Sequence, residues 1–390
     1  MRTMHSVLKR GGLYWDRELL PVAAYQKRLA LIQAEIARSG DDAWLLFGDV
    51  ERYGNVTFAT NFIPRVRSVL AFVPRSGAPV LLANIGLRDV PAAKTITWVE
   101  DIRPFGRLPK DLIALIEQQG LNAAKIGVCG FEESLPVTDW TAIEAGLPKV
   151  RWSNRGPALW AMRVSKELWE VEAIRRAAIM ADEALKLAPE VFRPGVTMRQ
   201  AIALIDRHIR RAGAEDARYL VASGPQTAIG LRPVDDRVLA SGDPIVVSVA
   251  VESQRYWAET ARTFVLGSAS GQLKSLHANA VTAIAAMRTA IRTGASAGDI
   301  VVAAERSLND AKHSQTAVAY GFGHGIGLDA EELPILRAGA RESVADHGTF
   351  ALRVILQCDG CGVAVAQTVL ADAAGCKPIN EGPSLVEISC

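Results

Sequence analysis

Two side chains able to hold or move a proton, Glu259 and His324, stand in the two most patterned stretches of the chain. The first stretch, VVSVAVESQRYWAETARTF from Val246 to Phe264, has β-branched runs on either side of a polar centre and reads as a β-hairpin. With the turn at Ser253 and Gln254, Ser248 faces Glu259, and directly opposed side chains have Cβ atoms about 5 Å apart. Two carboxylates so placed would bind a cation, but the first position is a serine. Val246, Val247 and Val249 indicate a strand covered on both faces, so the pair belongs in a buried pocket rather than on a solvated surface. The second stretch, GFGHGIG, sets His324 among glycines at alternate positions, which lets another backbone or a ligand approach that face. Histidine titrates near neutrality, so His324 is a candidate acid or base, although a lone strand histidine is commonly structural.

Three ordered motifs give these residues a setting. GDPIVVSVAVESQRYWAETARTFVLG resembles the catalytic hairpin of the creatinase/prolidase/aminopeptidase P family, the pita-bread fold, with Glu259, Arg262 and Thr263 in its Asp-x-x-Arg-Thr signature. VASGPQTAIGLRPVDDR is similar to that family's Ser-Gly-Pro loop, and GFGHGIGLDAEELP to its Gly-His-Gly-Ile-Gly strand followed by His-Glu-x-Pro. The resemblance covers most of residues 160–385 and, more weakly, ERYGNVTFATNFIPR.

The resemblance implies a metal site whose ligands are largely replaced. Peptidases of the family bind two divalent ions through Asp, Asp, His, Glu and Glu, and the matching positions are Ser248, Glu259, His324, Val354 and Gln367. Hard divalent cations require several anionic oxygens, so no metal is expected. The family's loop histidine falls at Leu231 and its second histidine at Glu331, which removes the proton-moving groups too. Creatinase works without metal, but through the histidine that here is Leu231, so a simple copy of it is also disfavoured.

The expected function is a metal-independent enzyme hydrolysing a C–N bond of amide, amidine or urea type in a small carboxylate-bearing molecule, with lyase chemistry open to the same groups. His324 is the acid or base, with Glu259 or Glu331 orienting it and stabilising its protonated form. Arg262 and Arg232 hold the substrate's anion, and Gln367, Ser248 and Arg353 complete the contacts. The alternative is a non-catalytic binding or scaffold protein, and a third reading is a single weak ion on Glu259 and His324. No cofactor is expected, since the glycines at 321, 323, 325 and 327 never satisfy G-x-G-x-x-G. Creatinase-like relatives pair, which implies a homodimer whose N-terminal domain helps close the partner's pocket. Phe62 would cover apolar substrate surface there, and Arg65, following the constrained Pro64, or Arg67 would supply charge.

The elements that must position these groups fall into two parts. An α/β N-terminal domain, residues 1–158, has a charged amphipathic helix (AAYQKRLALIQAEIARSG) and short buried-strand runs such as DAWLLFG, SVLAFVP and PVLLAN. An α+β pita-bread domain, residues 159–390, opens with a long helix for which Ser165 is the expected N-cap. Two further parts of it are readable: helices from Leu273 to about Lys312, and a final pair of β runs around CDGC. With 44 basic and 42 acidic residues in 390, and no long charge block, there is no nucleic-acid footprint. No stretch approaches a membrane span or a signal peptide, so a cytoplasmic address is expected. Five cysteines argue against a disulfide framework, and CDGC lacks the converging ligands of a zinc site.

Overall fold

The computed structural model describes residues 13–64, 67–308, 317 and 319–389, in two compact units that divide between Arg163 and Val164. In the first unit the short apolar runs are strands: β1 (Ala43–Asp49), β2 (Ser68–Pro74), β3 (Val80–Ala83), β4 (Asp101–Pro104), β5 (Lys125–Cys129) and β6 (Arg151–Asn154). They form one sheet in the order β4-β3-β2-β1-β5-β6, with only β2 antiparallel to its neighbours. The helix Val22–Ser39 ends at Gly40, whose left-handed backbone returns its N–H to the Ala37 carbonyl. Phe62, expected at a substrate surface, is 3% exposed. Its carbonyl accepts from the Thr57 hydroxyl at 2.7 Å, so it is core rather than a contact for a second chain. Arg65 lies outside the described residues.

Among the described residues the second unit carries nine strands: β7 (Asp216–Ser223), β8 (Pro244–Ser253), β9 (Tyr256–Leu266), β10 (Gly323–Gly325), β11 (Glu332–Ile335), β12 (Thr349–Cys358), β13 (Cys361–Asp372), β14 (Gly375–Pro378) and β15 (Leu385–Ile388). Seven follow the path β11-β10-β12-β13-β9-β8-β7, while β14 pairs with β13 and β15 with β9. Helices Leu168–Leu185 and Met198–Arg211 cover Val247, Val249 and Val251. Helices Gly271–Ala290 and Ala297–Ser307 cover Val354, Leu356, Val363 and Val365. One face of the sheet is thereby buried under helices. The first long helix begins at Leu168 rather than after Ser165: Glu170 reaches back to the Glu167 N–H at 2.9 Å, and the Ser165 hydroxyl instead donates to the Asp346 carbonyl.

The hairpin forms, but its turn is two residues Gln254 and Arg255, both with positive φ, and Ser253 pairs with Tyr256. Ser248 therefore opposes Ala261, and Ala250 opposes Glu259. No glycine or asparagine marks this turn. It is held instead by Glu215, which accepts from the Arg255 backbone at 2.9 Å and from its guanidinium at 2.5 Å, both side chains being fully buried. At the second hairpin, Cys358 and Cys361 join as a disulfide across Asp359-Gly360, a local clip rather than a framework. Among the described residues, no helix is long and apolar enough to cross a membrane.

The alternate glycines around His324 admit backbone. A Cβ on Gly323 would collide with the Ala351 carbonyl of β12, and one on Gly325 with the Leu333 carbonyl of β11. Gly323 also has φ +119°, which L-residues rarely adopt. Gly323→Ala should lower the thermal midpoint by at least about 5 °C, the equivalent of roughly 2 kcal/mol or more in a chain of this size. An unchanged midpoint in a melting scan would contradict this close packing.

Candidate functional site

On the sheet face away from the helices, three strands and one hairpin partner bring four polar side chains to one point. Glu259 of β9 is 6% exposed, and its Oε1 accepts from the Ser248 hydroxyl of β8 at 3.3 Å. The diagonal placement of these residues on one face achieves this despite the shifted register. His324 of β10 places Nε2 3.5 Å from Glu259 Oε2. Its Nδ1 lies 2.9 Å from the Gly325 carbonyl, which fixes the ring. Arg353 of β12 reaches Oε1 with Nη1 at 3.5 Å, while its Nε is buried with no acceptor. Thr368 of β13 sets the backbone beneath: its hydroxyl accepts from the Glu259 N–H at 2.9 Å and donates to the Glu259 carbonyl at 2.7 Å. Sequence reasoning missed Thr368, since a threonine in a strand carries no chemical signal.

The other expected site residues are elsewhere. Arg262 points to the helix-covered face, where Nη2 binds Asp182 at 2.9 Å and Nη1 the Thr260 hydroxyl at 2.6 Å. It is a structural ion pair, not a ligand contact. Gln367 is on that face too, donating to the Asn380 carbonyl at 3.2 Å, and Val354 is in the hydrophobic core. The residues that reach the Glu259 face at this level are Arg353 and Ala366, which oppose each other across β12 and β13. On the Glu259 face β12 and β13 thus present an arginine and an alanine, not Val354 and Gln367. The shift of one residue on each strand exchanges faces, because side chains alternate. Glu331 is exposed; its neighbour Glu332 turns inward instead, binding buried Lys166 at 2.9 Å and the Leu328 N–H at 2.9 Å. Arg232 pairs through its backbone with Val221, and its Nε is buried without an acceptor; no contact joins it to Glu259 among the described residues. Leu231 and Tyr320 pack on Val246, Ala261, Ile355 and Ala366, making one side of the site apolar.

The electrostatics centre on Glu259. Burial opposes its ionisation, but hydrogen bonding and charge from His324, and the charge of Arg353, outweigh that and hold its carboxyl at about 2. Burial likewise opposes charge on His324, yet the Glu259 carboxylate overrides it and lifts the imidazole above its ordinary 6.5. The trio therefore carries one anion facing two cations when His324 is protonated. A dimetal site does not fit this donor set: Glu259 and His324 remain as ligands, Ser248 and Ala366 supply no carboxylate, and the Arg353 guanidinium brings positive charge to the carboxylate a metal would need. Among the described residues, no three His, Cys, Asp or Glu side chains gather to hold an ion.

The coupling has a defined sign. The His324 contribution to stability is present below 6.5 and lost as pH rises through its raised folded value, whereas that of Glu259 is present above 4.5 and lost as pH falls toward about 2. In Glu259→Gln, burial acts on His324 without the carboxylate. The imidazole should then titrate below 6.5, against above 6.5 in the parent chain, as followed by the ring-proton NMR shifts. The same value in both chains would mean that Glu259 does not govern His324.

Two family descriptions match this chain: Creatinase/Prolidase N-terminal domain over residues 28–165, and Metallopeptidase family M24 over residues 172–373. A protein named probable dipeptidase PepE from Mycobacterium tuberculosis is 26% identical over 376 residues, spanning 92% of this chain and 95% of its own. The crystal structure of dipeptidase PepE from Mycobacterium ulcerans superposes with a TM-score of 0.81 at 23% identity, covering 97% of this chain and all of that one. An X-Pro aminopeptidase from Thermotoga maritima superposes at 0.82 and 19% identity, covering 93% and 99%. These relatives overturn the expectation of a non-peptidase enzyme for amidines or ureas, because those that carry an activity name are named for acting on peptides. The two-unit architecture, the hairpin motifs and the match to more than half of the chain lead to one assignment: the protein belongs to metallopeptidase family M24, a family of hydrolases, and has a creatinase-type N-terminal domain and a pita-bread C-terminal domain.

Proposed function

We propose that this chain is a cytoplasmic hydrolase of short peptides, of about dipeptide size, that works without a bound metal ion. The observation that carries the reading is Arg353, whose guanidinium stands on the active face at the level of a family glutamate, 3.5 Å from Glu259, with a buried Nε lacking an acceptor. Peptide hydrolysis needs positive charge at the amide oxygen, where negative charge develops. Arg353 supplies it from the protein, with donors left over after its contact to Glu259. As water adds to the amide carbon, His324, kept protonated by Glu259, gives its proton to the departing amine, and the proton shed by the added water restores the imidazolium. Glu259 is fully ionised and too weak a base to take a proton near neutrality; its part is to hold His324 charged and Arg353 in place. The apolar side formed by Leu231 and Tyr320 suits a hydrophobic peptide side chain. The names of the relatives support peptides as the substrate class. Pairing of two copies, expected from the resemblance, belongs to the same proposal and is checked by light scattering, where a mass of one chain would remove it.

The test is a dipeptide panel, X-Pro members included, assayed by mass spectrometry on protein prepared in EDTA. Turnover should persist in EDTA and fall by about 100-fold or more in Arg353→Ala, with partial recovery in Arg353→Lys. Absence of turnover on every peptide, or turnover that requires added manganese, would contradict the proposal.

A further inference from the structure

The N-terminal unit contains a cavity of about 690 Å³ that the proposed peptide site does not use. That volume lies within the usual range for small-molecule sites. Its position follows from the sheet order. From β1 the chain builds outward through β2, β3 and β4, then returns to add β5 and β6 on the other side. The strands β1, β3, β4, β5 and β6 run in one direction, so the connections diverge between β1 and β5 at their carboxyl ends. Open α/β sheets bind ligands at such a switch in strand order. Here Asp49 closes β1, Asn84 and Phe105 follow β3 and β4, and Ser134, Pro136, Thr138, Asp139 and Ala142 follow β5, all lining the cavity.

The charges on its wall indicate the ligand. Arg67, Arg107 and Lys110 line it, and among the described residues none of the three is held in an ion pair, although most other arginines of this unit are. Asp49 and Asp139 also line the cavity, with one Asp49 oxygen already accepting from the Glu51 and Arg52 N–H groups, so the three cations outnumber the carboxylates and a bound anion removes the repulsion left among them. Arg107 is the N-cap and Lys110 a first-turn residue of the helix Leu108–Gln118, while Arg67 immediately precedes β2, so the wall is built from separate segments. Phe47, Phe105 and Leu108 add an apolar floor.

We propose that this cavity binds a small molecule bearing a phosphate or carboxylate group on an apolar body, gripped by Arg67, Arg107 and Lys110. It is independent of the peptide site and stands whether or not that reading holds. Isothermal titration calorimetry of the full chain at low salt, with inorganic phosphate in one arm and citrate in the other, distinguishes the two anion types. One saturable site should appear for at least one probe, weakened about tenfold or more both in Arg107→Ala/Lys110→Ala and in Arg67→Ala, with unchanged melting midpoints, and retained in Arg353→Ala. Both variants are at exposed side chains on different segments, so loss of fold in one leaves the other informative. No saturable binding of either probe, binding unchanged in both variants, or binding lost in Arg353→Ala would overturn the proposal.

Discussion

One buried carboxylate organises the C-terminal unit's active face. Glu259 cannot be ionised in a covered sheet unless positive charge comes to it, and the fold brings His324, Arg353 and the Ser248 hydroxyl within 3.5 Å. Each of the three arrives from a different strand, so the charge balance holds only if β8, β9, β10 and β12 keep register together. Gly323 and Gly325 let β10 lie close enough to its neighbours, Thr368 grips the Glu259 backbone from β13, and the Arg255–Glu215 pair fixes the hairpin that carries Glu259. In relatives that bind metal, ions would supply the positive charge. Here side chains supply it, and the same carboxylate remains the anchor.

The two faces of the sheet divide structure from chemistry. Under the helices, Arg262, Asp182, Asn380 and Gln367 form a hydrogen-bonded set that ties β9 and β13 to the long helix Leu168–Leu185 and to the segment at Glu381. The signature arginine of the hairpin therefore does its work on the covered side, locking the strand whose opposite face presents Glu259. Lys166 and Glu332 play a comparable part around Leu328 and Asp329, where removal of one partner would leave a buried charge at a cost of roughly 3–5 kcal/mol.

Fold and family were legible from three motifs and the alternation of short strands with helices, and the convergence of Glu259 with His324 was legible with them. What was not legible is which way each strand faces. The turn at Gln254 and Arg255 lacks the glycine or asparagine that usually marks left-handed residues, and a misplaced turn moves every pairing by two. At β12 and β13 an offset of one residue sends Val354 and Gln367 to the core and Arg353 and Ala366 to the site. Glu331 and Glu332 differ by the same single step, and the Lys166 ion pair, invisible at a separation of 166 residues, together with the Leu328 and Asp329 N–H groups holds Glu332 inward. The pairing implied by the resemblance puts Phe62 against substrate, whereas its packing inside the N-terminal unit depends on residues that no local pattern reveals.

The claim at the centre is that the guanidinium of Arg353 occupies the place of a cation beside Glu259. A crystal grown with excess manganese and measured at an X-ray energy where manganese scatters anomalously tests it most directly. The prediction is no anomalous peak at Glu259 and His324, with Arg353 in contact with Glu259. A well-occupied peak ligated by Glu259 and His324, with Arg353 swung away, would contradict it.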